Sequence, residues 1–176
     1  MKNEEIDEIK VALNHYSKAL TILDSYDYNS LKDIIESSKD REVKLTYELA
    51  ITIIKEIGKE FDSSIFGIEK EEGKLKGILD NVNQCAFDED IYQGVINKAS
   101  HLLYFLIKDH PFIDGCKRIA VSLFIAYLSL NKALFKDGKE TISNETLASL
   151  TLLIAMSNPS EKDIIIKFIS NLLNKD

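Results

Sequence analysis

Residues Ile119 to Leu130 are apolar almost all round, and a helix with that pattern has no face to give to water. Such a helix belongs at the centre of a domain, with amphipathic segments packed around it. The stretch before it supplies one. Ile91, Val95, Ile96, Ala99, Leu102, Leu103 and Leu106 carry the spacing of a helix over Ile91 to Asp109 that is buried on a broad face. The run at Ile119 to Leu130 is too short to cross a bilayer. With 176 residues, two prolines, no internal repeat and no low-complexity tract, the chain reads as one domain with a sizeable core.

The remaining periodicity is helical too. Ile6, Ile9, Leu13, Tyr16, Leu20 and Leu23 alternate spacings of three and four, which predicts a first helix with a seam for another helix. An intramolecular bundle contact is the preferred reading of that seam, and a dimer or other intermolecular contact the alternative. Ser30 with Asp33 resembles a capping box for a short second helix, and Ser37 to Arg41 reads as a polar connector. Leu45, Leu49, Ile53, Ile57 and Phe61 predict a further helix ending near Gly58 to Phe61. From Asp62 to Asp90 the periodicity fades among Gly67, Gly73 and Gly77, leaving a long connection with one short helix. Later, Asp137-Gly138 marks a turn and Leu147 to Met156 an apolar helix. Ser160 with Asp163 resembles the capping box of a last helix that buries Ile164, Ile165, Phe168, Ile169, Leu172 and Leu173.

Nine residues between the two central helices carry the chemistry: His110-Pro111-Phe112-Ile113-Asp114-Gly115-Cys116-Lys117-Arg118. Pro111 biases the residue before it out of the helical region, so His110 stands at or just past a helix end. Phe112 and Ile113 are too apolar for a solvated tip and are expected to tuck inward. Asp114 offers a hard oxygen ligand, and Gly115 permits the positive φ of an anion-binding loop. Lys117 and Arg118 fall in the first turn of the next helix, where the macrodipole disfavours cations by roughly 0.3–1 kcal/mol. An arriving phosphate would relieve that conflict. The alternative is an ordinary Pro/Gly turn with a solvated basic pair.

A formal charge of −7 argues against a nucleic-acid-binding surface. Cys85 and Cys116 have no CxxC spacing, so neither a zinc site nor a disulfide framework is indicated, and a reducing cytoplasm is the expected compartment. Met1-Lys2-Asn3-Glu4-Glu5 is no signal peptide, and no membrane association is expected. His15 sits among polar neighbours and reads as a surface residue. His101 has no ligand-forming partner at helical spacing and reads as a packed histidine rather than a metal ligand.

The nine residues resemble the signature of the Fic/Doc family, His-x-Phe-x-Asp/Glu-Gly/Ala-Asn-Gly/Lys-Arg. His110, Phe112, Asp114, Gly115, Lys117 and Arg118 fit it. The similarity runs from about Phe66 to Leu173 and includes Lys98 to Leu106 and Leu150 to Ala155; in detail it is similar to the bacterial RhuM-like branch. Two positions depart: Cys116 stands where Asn is expected, and Val121 where many nucleotide-transferring members have a second Arg.

The resemblance implies an all-α Fic fold with a small β-hairpin flap beside the active-site loop. The N-terminal helices would lie at 1–61, the flap region at 62–90, with the flap itself at about Ile78 to Phe87, and the core helices at 91–176. It implies that His110 is the general base for a Ser, Thr or Tyr hydroxyl of a protein substrate, and that Phe112 anchors the motif. Asp114 holds Mg²⁺, while Gly115, the residue at Cys116, Lys117 and Arg118 bind the phosphates of ATP. Lys117 and the missing second Arg favour the Doc-like type, which transfers the γ-phosphoryl group to elongation factor Tu as a toxin, with an antitoxin as partner. Adenylylation is the alternative. So is a weakened nucleotide- or protein-binding module, because a thiol donates hydrogen bonds poorly. A cysteine nucleophile at Cys116 is a third idea. Ser38 with Glu42 and Thr141 with Glu145 match the family's inhibitory helix only in part, so no built-in clamp is expected.

Overall fold

The computed structural model describes residues 2–36 and 42–175. The connector expected at Ser37 to Arg41, with Ser38 of the partial inhibitory match, lies outside them. Eight α-helices are described: α1 (Lys2–His15), α2 (Ser17–Asp27), α3 (Tyr47–Gly58), α4 (Lys74–Val82), α5 (Val95–Lys108), α6 (Cys116–Leu130), α7 (Asn144–Met156) and α8 (Lys162–Leu173). Two antiparallel hairpins join them, β1 (Cys85–Ala86) with β2 (Glu89–Asp90) and β3 (Phe135–Lys136) with β4 (Lys139–Glu140). The expected all-α architecture with small hairpins is what the chain adopts. None of the described helices is long and apolar enough to cross a membrane.

The two central patterns become α5 and α6, packed against each other, with α3, α4, α7 and α8 around them. Leu102, Leu103, Leu106, Ile119, Leu123, Phe124 and Leu128 are buried at that contact and make the centre of the core. The helix starts follow cap chemistry. The Thr46 hydroxyl accepts from the Leu49 amide at 3.2 Å, and that of Ser143 from Thr146 at 3.1 Å. At the last helix the box forms two residues earlier than expected. Asn158 and Glu161 make it, on the 3₁₀ turn Pro159–Glu161, because proline fits the first position of such a turn.

Lys98 is the least expected core residue. Its side chain is 1% exposed, and its ammonium donates to Glu42 at 2.5 Å and to Asp90 at 2.9 Å. Tyr127 on α6 donates to the other oxygen of Glu42 at 2.9 Å. The cluster therefore joins α5, α6, the first hairpin and the chain entering α3.

Two local expectations are corrected. Residues 30–36 are not helical, because their side chains are drawn onto other elements. Leu31 is buried, Asp33 pairs with Lys167 at 3.2 Å, and the Glu36 carboxylate accepts from the Ile96 amide at 2.9 Å, capping the start of α5. The first helix breaks at Tyr16 into α1 and α2, and its seam faces solvent instead of the bundle: Ile6, Ile9, Leu13, Tyr16, Leu20 and Leu23 are all exposed.

Candidate active site

The nine-residue stretch forms the loop from α5 into α6. His110 takes a left-handed conformation, φ 48°, which lets the chain turn out of α5 ahead of Pro111 and leaves the imidazole exposed. Phe112 is fully buried and pins the loop to the core. Ile113, expected inside, is instead 48% exposed, since the extended backbone turns neighbouring side chains to opposite sides. Gly115 caps α6 at φ 89°, and a Cβ built there would meet the Phe66 ring at 2.4 Å. Both the conformation and the contact require glycine.

Asp114 and Arg118 lie one helical turn apart and pair at 3.2 Å. The second Asp114 oxygen accepts from the Ser63 hydroxyl at 2.7 Å. That bond, aided by the charge of Arg118, holds the Asp114 carboxyl below its usual range against a smaller opposing cost of desolvation. The Arg118 guanidinium lies 4.3 Å from the centre of the Phe61 ring and 4.9 Å from that of Phe66. Lys117 is exposed and stands outside this cluster, and Val121 is half-buried on the next turn.

Cys116 is buried, and its sulfur is directed back into the loop. The thiol donates to the Phe112 carbonyl at 3.2 Å, the Phe112 amide donates to the sulfur at 3.4 Å, and His110 Nδ1 lies 3.3 Å away. Burial pushes the thiol pKa up, only partly offset by the Phe112 amide, so sulfur is held as S–H at neutral pH. A thiolate nucleophile finds no support in these surroundings.

Residues 61–70 were not singled out by any motif, yet they touch the side chains of His110, Asp114 and Arg118. Phe66 and Glu69 bridge to Asp114 and Phe112. Backbone bonds run from Gly67 N–H to Asp114, from Ile113 N–H to Ile68 and from Lys70 N–H to Pro111, at 2.8 to 3.1 Å. The Lys70 ammonium then donates to His110 Nδ1 at 2.8 Å. An ammonium has no lone pair to offer, so Nδ1 is the acceptor and the ring proton sits on Nε2. The segment paired with the motif is therefore this one, bridged at Phe66 and Glu69, within 62–90 but before the narrower range expected for the flap. Ile78 to Val82 belong to α4, and the hairpin of β1 and β2 meets Lys98 near the opposite end of α5, about 15 Å of helix from the loop.

The donor set fits a nucleotide with Mg²⁺. Among the described residues no group of three or more His, Cys, Asp and Glu side chains gathers as a metal site. Asp114 is a single ionised carboxylate at the start of a helix, and Mg²⁺ characteristically takes one or two carboxylates and completes its shell with phosphates and water. His15 is exposed. His101 is stacked on Tyr92 at 3.7 Å, bonds the Asn97 carbonyl at 2.8 Å and lines a separate cavity of about 500 Å³.

Residues 44–128 match the model of the Fic/DOC family. No curated protein and no solved structure matches the chain.

Proposed function

We propose that the Fic/Doc-family domain at residues 44–128 transfers part of a magnesium nucleotide to a hydroxyl of a target protein, with AMP transfer as the first reading. The family generally moves AMP or phosphoryl groups onto proteins. The observation that carries the reading is one loop that gathers an imidazole, an ionised carboxylate, a left-handed glycine and a guanidinium at the start of α6. Each has a distinct task there. The free amides of the first turn and Arg118 hold phosphate oxygens, replacing the stacking of Arg118 on Phe61 and Phe66 with a charge-assisted bond. Asp114 would hold Mg²⁺, which when bound neutralises phosphate charge. His110 takes the proton of the attacking hydroxyl as the new O–P bond forms and the bond to the leaving pyrophosphate breaks.

The case for γ-phosphoryl transfer rests on Lys117, whose side chain is exposed and outside the cluster around Asp114, and on Val121 where a second Arg would stand. Those residues keep phosphoryl transfer as the second reading, with ADP leaving in place of pyrophosphate. Cys116 makes either reaction slower than an Asn would, because its one donor is committed to Phe112.

The test incubates the protein and its His110→Ala variant with Mg²⁺, cell lysate and ATP labelled at the α or the γ phosphate. Protein labelling from α-labelled ATP alone, lost in the variant, is the expected result. Labelling from γ-labelled ATP alone selects phosphoryl transfer. Labelling that survives in the variant, or none from either nucleotide, removes the transferase reading.

A further inference from the structure

We propose that α1 and α2 are the interface of a homodimer, in which this helical arm packs antiparallel against the same arm of a second copy. The arm has two faces. Ile22, Ser25 and Tyr26 are half-buried toward α8, where Tyr26 meets Phe168 edge-on at 6.0 Å. The seam lies on the far side: Ile22 is about 200° around the helix from Leu20. Its six residues are 48% to 65% exposed, so the stripe is open to a partner.

α1 has no other support. Its 14 residues pack substantially on α2 alone among the described elements, and an isolated helix of that length is marginal in water. Packing of its apolar stripe is what would hold it.

The pattern of the stripe selects the occupant. Spacings of three, four, three, four and three read the same from either end, so an antiparallel copy sets Ile6 against Leu23, Ile9 against Leu20 and Leu13 against Tyr16, each layer occurring twice. Every seam residue finds an apolar partner in that arrangement, and the flanking Ala12 and Ala19 allow close approach. A parallel pair would instead line up Glu4, Glu5, Asp7 and Glu8 of both copies; the antiparallel pair holds those carboxylates apart by nearly the length of the arm, with Glu5 at the level of Asp24 the one like-charge pair it sets face to face. At roughly 100 Å² each the six residues supply about 600 Å² per copy before flanking residues count, close to the ~800 Å² per partner of a stable specific interface.

The test is mass in solution by light scattering and sedimentation, on the full chain from about 1 to 100 μM, the range in which an interface of this size should be occupied. A species of twice 20.0 kDa is expected. The double variant Ile9→Glu, Leu20→Glu should be monomeric, its dimerisation weakened at least about a hundred-fold. Both positions are exposed in the single chain, so the variant should keep the melting temperature of the α3 to α8 core. A monomer at every concentration, whatever else then covers the seam, or a dimer that the double variant leaves intact, would overturn the proposal.

Discussion

Cys116 is where the chemistry of one residue decides most. Its thiol is held protonated and donates to the Phe112 carbonyl, so it stitches the loop together and has no donor left for a phosphate oxygen. Asparagine has two amide hydrogens and can keep one inside while directing the other outward. A hydrogen bond to a charged group contributes about 1.5–3 kcal/mol, so Cys116→Asn should raise the transfer rate by roughly ten- to a hundred-and-fifty-fold. Single-turnover kinetics under saturating nucleotide read this directly, and a slower variant would mean that the thiol itself takes part in the reaction. The motif residues were legible in the sequence because each has a chemistry tied to its spacing. Which way Cys116 points was not, since that depends on the turn taken at His110 with its positive φ.

Among the elements, the segment from Phe61 to Lys70 governs how the loop is presented. Ser63 holds Asp114, Phe61 and Phe66 hold Arg118, and Lys70 holds His110, so the proposed transfer would require these contacts to be exchanged for nucleotide and target. Lys70 fixes the ring proton of His110 on Nε2. Lys70→Met removes the donor while keeping a long apolar stem, and both neutral tautomers should then be populated. Nitrogen-15 NMR of the histidine side chains would report Nδ1 as unprotonated in the wild type and as averaged in the variant; the same Nδ1 shift in both would mean that the lysine does not set the tautomer. This segment was legible only as part of the connection over 62–90, because its pairing with the loop is through backbone atoms, and Phe66 and Lys70 carry no periodic signal. α5 and α6 were legible for the opposite reason, since a stripe of buried side chains writes itself into spacing. Residues 30–36 fall between the two cases: Ser30 and Asp33 have the composition of a cap, but Leu31, Asp33 and Glu36 find better partners across the fold.

On the scale of the whole molecule, Lys98 ties together parts of the chain that are distant in sequence. Burial alone would lower its pKa, but hydrogen bonds and opposite charges from Glu42 and Asp90 outweigh that cost, and the net shift is upward. The counterpart is Asp90, whose carboxyl is held below its ordinary range first by the Lys98 bond and then by the Cys85 thiol. A carboxylate depressed by folding adds stability that is present above its unfolded pKa near ~3.9 and is lost as pH falls through the lower folded value. Stability should therefore decline as the protein is acidified below about pH 4. Lys98→Met leaves Glu42 and Asp90 without the ammonium that bridges them, and loss of one partner of a buried ion pair costs about 3–5 kcal/mol. Denaturant unfolding followed by circular dichroism should show that loss at pH 7. Below the normal carboxylate range the variant should recover part of it, because protonating Asp90 removes a charge that the lysine neutralised. A variant as stable as the wild type at pH 7, or one whose deficit grows on acidification, would mean that the cluster is not what holds the hairpin and α6 to α5.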